Sequence, residues 1–129
     1  MEIRTHQQAH SPLLGIPLEV VDGSSAIVRL VAIENMVIDD KGLVHGGFSF
    51  GLADYAAMLA INDPHVVLVG ANIKFTAPVK RGDVMTAKAS VIGEKENKIV
   101  VNVEVSVDEK TVLTGDLICY VLEKHVLEL

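Results

Sequence analysis

The sequence predicts one α+β domain, residues 1–129, in which a curved antiparallel sheet wraps around a long central helix. Two observations predict this fold class. Most of the second half of the chain alternates between apolar and polar residues, and one apolar stretch, residues 48–61, is too long for a typical strand. That stretch contains a single charged side chain, Asp54. Such a helix needs apolar partners on every side, and a curved sheet would supply them.

Two strands and a loop are predicted ahead of the helix. Residues 18–21 and 26–31 are apolar runs on either side of Asp22-Gly23-Ser24, which predicts a strand, a turn and a second strand. Residues 34–44 contain the polar run Asp39-Asp40-Lys41-Gly42 and therefore predict a loop.

The helix is expected to begin at Gly46 or Gly47 and to end before Pro64, because proline cannot continue a helix. Strands are expected to follow, since alternation with a period of two gives a strand one buried face and one exposed face. They cover residues 67–75, 85–91, 101–107 and 112–122. Turns are expected at 93–97 and 108–110, and short connections of this kind favour antiparallel pairing.

Composition and charge narrow the classes of function. The chain has 17 acidic and 11 basic side chains, and its formal charge of −6 opposes nonspecific binding to nucleic acid. Its one cysteine, Cys119, excludes an internal disulfide, and its first residues lack a secretory pattern, so a cytoplasmic location is expected. No apolar run is long enough to cross a bilayer. Half of the residues are hydrophobic, and the excess apolar surface is expected to form a subunit interface.

Asp54 is the first candidate for a catalytic residue, because a carboxylate in an apolar helix loses hydration. Gly46 and Gly47 lie at the start of the same helix, where N–H groups lack intrahelical partners and can hydrogen-bond a carbonyl oxygen. Without a side chain there, a ligand can approach the backbone closely. Taken separately, the features have structural explanations: a Gly pair is often only a turn, and a buried Asp can be a cap or an ion-pair partner.

The spacing of Gly46 and Asp54 predicts a site shared between subunits. Eight helical residues separate their Cα atoms by ~12 Å, and the lean of side chains toward the helix N-terminus recovers only part of that distance. If both groups act on one carbonyl, Asp54 of one subunit must meet the Gly46 N–H of another. The site is then expected at a dimer interface.

Residues 42–54, with His45-Gly46-Gly47 followed by Leu52-Ala53-Asp54, resemble the signature of hotdog-fold acyl-CoA thioesterases of the phenylacetate-pathway (PaaI-like) type. The resemblance extends upstream through 11–16 and downstream through 72–79 and Gly82-Asp83, so it covers nearly the whole chain. It implies the hotdog fold, with the sheet wrapped around the helix. It also implies homodimers that join their sheets edge to edge and often pair into homotetramers.

The resemblance implies a role for each matching residue. Asp54 matches the catalytic carboxylate, which acts as nucleophile or general base, and Gly46 matches the glycine whose N–H polarises the thioester carbonyl. His45 matches the histidine that supports this loop or the thioester. Asp39 departs from the family, since many relatives carry Asn or Gln about six residues before the histidine. A carboxylate there either raises the pKa of Asp54 or points to solvent.

Further substrate-binding candidates are Gly47, next to the oxyanion glycine, and Asn72, in the downstream part of the resemblance. Lys80 and Arg81 lie in a predicted turn, where they could bind a CoA phosphate or serve only as surface charges. The other histidines give weak evidence for metal: His6 and His10 have helical spacing but no third ligand, so no metal site is expected.

The preferred function is hydrolysis of an acyl-CoA thioester to the free carboxylic acid and CoA, with acyl-CoA as the partner and no cofactor. Aryl, short-chain and medium-chain acyl groups are all compatible with the sequence. One alternative is an acyl-thioester hydratase or dehydratase that uses His45 with Asp54 for proton transfer. Another is a non-catalytic acyl-CoA-binding module, against which the retention of Asp54 argues.

Overall fold

The structure, a computed structural model, describes residues 1–9 and 11–129, so the candidate ligand His10 lies outside the described residues. One α-helix is enclosed by a six-stranded antiparallel sheet, which confirms the predicted α+β class and the hotdog arrangement. Helix α1 runs Gly46–Ile61; the strands are β1 Ile16–Val21, β2 Ser25–Val31, β3 Val66–Phe75, β4 Val84–Lys95, β5 Lys98–Val107 and β6 Lys110–Val121. Short 3-10 helices cover Glu34–Met36 and Val126–Glu128.

The strand order β1-β2-β4-β5-β6-β3 places β3 at one edge of the sheet. Strands β4, β5 and β6 follow one another as hairpins, as the short predicted turns require. Strand β3, which follows the helix, pairs only with β6 among the residues that the structure describes, so its other side carries backbone groups with no described strand beside them. Two of its apolar side chains are also open to solvent, Val69 at 52% and Phe75 at 57%.

The core lies between α1 and the inner face of the sheet. The largest buried side chains of that face come from alternate positions of the strands: Val28, Leu30, Met85, Val101, Val103, Val105, Leu113 and Leu117. The helix buries most of its length against them, and beyond Gly46 and Phe48 at its start one stripe stays partly open. That stripe consists of Gly47, Phe50, Gly51 and Asp54, which lie three or four residues apart and so share a helix face.

The helix is capped by a side chain at its N-terminus and by a backbone N–H, that of Asn62, which donates to the Met58 carbonyl, at its C-terminus. His45 is the N-cap, and Asn62 ends the helix in the left-handed conformation at φ 57°, ahead of Pro64. The buried Asn62 amide also binds the N-terminal segment: its Oδ1 accepts the Arg4 N–H at 2.8 Å and its Nδ2 donates to the Glu2 carbonyl at 2.8 Å. The start of the chain is thereby tied to the far end of α1.

Two strand predictions were wrong in detail. The turn expected at 93–97 covers only Glu96 and Asn97, because β4 continues to Lys95 through a bulge between Val91 and Gly93. The alternation expected along β3 is interrupted by a second bulge between Leu68 and Gly70. An extra residue in one strand moves its side chains to the opposite face, which a regular period cannot anticipate.

None of the helices in the described part of the chain has the length and apolar composition needed to span a bilayer.

Candidate active site

The N-terminus of α1 is organised by the His45 ring. Its Nδ1 accepts the Gly47 N–H at 2.7 Å, and its backbone N–H donates to the Met36 carbonyl at 2.9 Å. Since a ring nitrogen that accepts a hydrogen bond is unprotonated, the neutral imidazole carries its proton on Nε2. His45 therefore caps the helix with one nitrogen and presents an exposed N–H donor with the other.

The Gly46 N–H is the donor left open at this helix end. Gly46 is the first residue of α1, and among the described residues no acceptor takes its N–H. The group lies at the positive end of the helix dipole, where it can stabilise negative charge on an oxygen. The neighbouring Gly47 N–H, by contrast, is already occupied by the His45 ring. Of the two predicted glycines, only Gly46 offers a free donor.

Gly46 opens into a cleft of about 400 Å³. We call it the Gly46 cleft; its lining residues are Val44, Gly46, Ser49, Phe75, Thr76, Ala77, Pro78 and Val79. A Cβ atom on Gly46 would stand 3.2 Å from the Phe75 ring, so a side chain there would require this exposed ring to move by a few tenths of an ångström. Ser49 is buried and its hydroxyl donates to the Met85 sulfur at 3.6 Å, as expected of a packed polar group and not of a nucleophile.

Asp54 lies two turns further along α1 and is half-buried on the open stripe. Its Oδ1 is buried and has no hydrogen-bond partner among the described residues. Burial raises the pKa of Asp54 to about 6. Burial, and secondarily the charge of Asp54, raises the pKa of the Cys119 thiol to about 12, so the thiol lies within electrostatic reach of the carboxylate.

Gly46 and Asp54 do not share a cleft within one chain. Asp54 does not line the Gly46 cleft, and the continuous helix between the two fixes their Cα atoms ~12 Å apart. His45, one residue earlier, is further still from Asp54, so the acid–histidine pair that a hydratase requires is not formed within the chain.

Asp39 is turned toward its own loop. Its Oδ1 accepts the backbone N–H groups of Lys41 at 3.0 Å and Leu43 at 3.1 Å, and the residue is exposed. The raised pKa of Asp54 is caused by burial, with no contribution from a second carboxylate. Within the chain Asp39 thus shapes the loop before His45 and does not perturb Asp54.

The remaining predicted site residues do not line the Gly46 cleft. The Arg81 guanidinium is paired with Glu34 at 2.8 Å, and Lys80 is held through its backbone N–H, which donates to Asp83 Oδ2 at 2.9 Å. Asn72 pairs with Asp116 in the β3–β6 ladder, one position away from the buried Leu117, so it faces the outside of the sheet.

Sequence reasoning missed the wall of the Gly46 cleft. Phe75 reads as one more apolar position of an alternating strand, and residues 76–79 read as a connection. The approach of Phe75 to Gly46 and the hydrogen bond from the Val44 N–H to the Val79 carbonyl place this corner of the sheet over the start of α1. No local sequence signal marks that contact.

Known proteins resemble this chain over most of its length. The family model described as Thioesterase superfamily matches residues 41–114. A solved structure of an uncharacterized protein from Pyrococcus horikoshii is 53% identical, with a TM-score of 0.95 over 98% of this chain and 97% of that one. PaaI from the phenylacetic acid degradation operon of E. coli is 27% identical, with a TM-score of 0.75 over 84% of this chain and 83% of that one.

Two curated relatives are not named as thioesterases. A methylthioribose-1-phosphate isomerase of Aquifex aeolicus is 49% identical over 116 residues, which cover 90% of this chain and 25% of the relative. A transcription factor FapR of Caldanaerobacter subterraneus is 35% identical over 113 residues, which cover 85% of this chain and 56% of the relative. The chain therefore spans a quarter of one relative and about half of the other.

Proposed function

The chain belongs to the thioesterase superfamily, and from that premise we propose that it hydrolyses an acyl-CoA thioester to a free carboxylic acid and CoA. The similarity to PaaI in sequence and fold confirms the type of hotdog protein that the His-Gly-Gly signature indicated. The observation that carries the proposal is Asp54, a half-buried carboxylate whose Oδ1 has no partner among the described residues. No structural bond competes for this oxygen, which leaves it available to a substrate or a water.

The open Gly46 N–H supplies the second part of the proposed chemistry. In thioester hydrolysis the carbonyl oxygen gains negative charge as the carbon becomes tetrahedral, and a fixed N–H donor stabilises that charge. The His45 ring holds the helix start in place and adds an exposed Nε2–H donor beside it. The thioester carbonyl is proposed to accept the Gly46 N–H from within the Gly46 cleft.

Asp54 is proposed to act on the carbonyl carbon in one of two ways. As a nucleophile it would form an acyl–enzyme anhydride, expelling the CoA thiolate, and water would then cleave the anhydride. As a general base it would take a proton from a water that attacks the carbon directly. Both routes release the acid and CoA, and both require the ionised carboxylate.

We propose that these groups meet across a dimer interface. Gly46 and Asp54 lie ~12 Å apart along one helix, whereas a second subunit can bring its own Asp54 to the Gly46 cleft. The unpaired edge strand β3, with its exposed Val69 and Phe75, offers a surface through which two sheets can join edge to edge. Phe75 also lines the Gly46 cleft, so this edge and the proposed site are adjacent.

The direct test is a hydrolysis screen across an acyl-CoA panel, with release of free thiol as the signal and Asp54→Ala as the comparison. We expect turnover of at least one acyl-CoA, and a loss of about 10²-fold or more in kcat for Asp54→Ala, since a positioned base or nucleophile contributes on this scale. CoA affinity and oligomeric state are expected to persist in the variant. Turnover at the wild-type rate in Asp54→Ala would refute the assignment.

One other candidate is a module that binds an acyl-CoA without cleaving it, and it is favoured by the 35% identity to a protein that is named as a transcription factor, FapR, and not as an enzyme. The same panel separates the two functions. Saturable binding of acyl-CoA with no release of thiol by the wild-type protein would favour the binding module, and turnover that depends on Asp54 would favour the enzyme.

A further inference from the structure

A second cleft, of about 440 Å³, adjoins the Gly46 cleft and has no role in the proposal above. Pro78 and Val79 line both clefts, so they form a shared apolar wall. The other residues of the second cleft are Asp39, Lys41, Leu43, Lys80 and Asp83. We call it the lysine cleft, after Lys41 and Lys80.

The two clefts are held in a fixed relation by backbone contacts. The Val44 N–H donates to the Val79 carbonyl at 2.9 Å, and the Arg81 N–H donates to the Gly42 carbonyl at 2.8 Å. Between them Leu43 pairs with Lys80 in an isolated bridge. Residues 42–44 therefore run antiparallel to 79–81, and Gly46 follows only two residues after this paired segment. A ligand that occupies both clefts would therefore bind to a backbone arrangement that hydrogen bonds already fix.

The carboxylates of the lysine cleft are engaged by the backbone. Asp39 Oδ1 accepts two loop N–H groups, and Asp83 Oδ2 accepts the Lys80 N–H. Neither lysine ammonium belongs to the ion pairs found in the described part of the chain, which are Arg4–Asp22 and Arg81–Glu34. The lysine cleft thus holds two ammonium groups that lie outside those ion pairs, together with two aspartates, so the formal charges of its lining residues cancel on a protein whose formal charge is −6.

We propose that the lysine cleft binds the phosphates of a CoA thioester through Lys41 and Lys80 while the thioester itself reaches Gly46. The identity of the ligand rests on the proposed function. In CoA a pantetheine arm separates the thioester from the phosphates, so the phosphates must bind to one side of the reacting group. The pantetheine arm would lie along the apolar wall that Pro78 and Val79 form between the two clefts.

Lys41 is the unexpected member of this site. The sequence pointed to Lys80 and Arg81, but the Arg81 guanidinium is already paired with Glu34 at 2.8 Å. Lys41 follows Asp39, whose side chain accepts the Lys41 N–H and so fixes the backbone from which the lysine projects. Asp39 accordingly holds the backbone of the proposed phosphate-binding lysine.

The test compares the binding of CoA and of pantetheine, which lacks the phosphates, by titration calorimetry. The variant is Lys41→Ala with Lys80→Ala; the matched control is Lys88→Ala, which removes an exposed lysine from β4 between the buried Ala87 and Ala89. We expect the double variant to bind CoA about tenfold or more weakly, because charge-assisted contacts are lost. Binding of pantetheine is expected to be unchanged, and Lys88→Ala is expected to match the wild type for both ligands.

Equal CoA affinities in the double variant and in Lys88→Ala would overturn the inference, and so would a wild type that binds CoA no better than pantetheine. Binding is measured without turnover, so this outcome is separate from that of the hydrolysis screen. If the protein binds CoA through the two lysines but cleaves no thioester, the inference about the lysine cleft stands and the proposed enzyme activity is refuted.

Discussion

At the scale of single residues, Asp54 determines how the protein is expected to respond to pH. Burial raises the pKa of Asp54 to about 6, and both proposed routes need the ionised carboxylate. We expect kcat/KM for the best acyl-CoA to rise with pH along a limb with an apparent pKa of about 6. Initial rates from about pH 5 to about pH 8 measure this limb, and a flat profile over that range would contradict the assignment.

The same carboxylate is expected to lower the stability of the folded protein. The folded state holds the Asp54 proton more tightly than the unfolded chain, whose Asp pKa is near 4, so stability falls as pH rises from about 4 to about 6. Above that window we expect Asp54→Asn to raise the free energy of unfolding by on the order of 2 kcal/mol. The gain is expected to shrink to a small remainder near pH 4, where Asp54 is protonated in the folded state and about half protonated in the unfolded chain.

Urea unfolding at about pH 7.5 and about pH 4, at one fixed protein concentration, measures the difference. Asp40→Asn is the matched control, since Asp40 is exposed and makes no side-chain hydrogen bond among the described residues. If Asp54→Asn lowers stability at the higher pH, then Asp54 has a stabilising partner and is not an uncommitted carboxylate.

Some of these residues could be predicted from the sequence and others could not. Asp54 was evident because a single charge stands out in an apolar helix. Neither Phe75 nor Lys41 was indicated as a cleft residue by its sequence neighbours. Phe75 resembles an ordinary core position of a strand, and Lys41 resembles an ordinary charged residue of a loop. Their positions depend on contacts of residue 75 with residue 46 and of residue 43 with residue 80, which tertiary pairing alone creates.

At the scale of elements, the glycine with the least room for a side chain is Gly115, which lies in β6 against the edge strand β3. A Cβ atom on Gly115 would stand 2.1 Å from the Asn72 carbonyl oxygen, a distance that backbone atoms cannot accommodate without moving. We expect Gly115→Ala to lower the free energy of unfolding by about 3 kcal/mol, since overpacking forces such shifts. Because β3 ends at Phe75, which lines the Gly46 cleft, turnover is expected to fall as well.

Gly70→Ala is the matched control for this change. Gly70 also lies in the β3–β6 ladder, but a Cβ there would meet only the Ile118 side chain at 3.6 Å, an ordinary contact. Chemical unfolding of both variants gives the comparison. Equal free energies of unfolding for the two would show that β6 can shift away from Asn72 at little cost.

Elements with a strong local signal were predicted well. Helix α1 begins at Gly46 and ends before Pro64, as the Gly pair and the proline indicated. The bulges near Val69 and Ile92 were not predicted, because an extra residue in one strand is defined by its partner strand and not by its own sequence. They account for the extended β4–β5 hairpin and the broken alternation of β3.

At the scale of the whole molecule, the central claim is that one site is built from two subunits. Two features of the chain support it: the open stripe of α1 that carries Asp54, and the unpaired edge of β3 beside the Gly46 cleft. The helical spacing that separates Gly46 from Asp54 was legible in the sequence. The edge strand was not, since strand order depends on the complete sheet.

The Gly46 N–H can be removed with little effect on the helix. Gly46 is the first helical residue, a position that proline favours, and His45 before it is extended at ψ 132°, as a residue before proline prefers. Gly46→Pro deletes the donor, whereas Gly46→Ala keeps it and adds a similar bulk next to Phe75. We expect Gly46→Pro to lose about 10²-fold more in kcat than Gly46→Ala, on the scale of one oxyanion donor.

Mixing two inactive variants tests the central claim most directly. Asp54→Asn and Gly46→Pro subunits, unfolded together and refolded in equal amounts, form mixed dimers in which one site receives both wild-type groups and the other receives neither. If the site spans two subunits, the mixture recovers about one quarter of wild-type turnover, since about half of the dimers are mixed and each has one intact site. If turnover in the mixture stays at the level of the separate variants, Asp54 and Gly46 do not meet across the interface and the shared site is refuted.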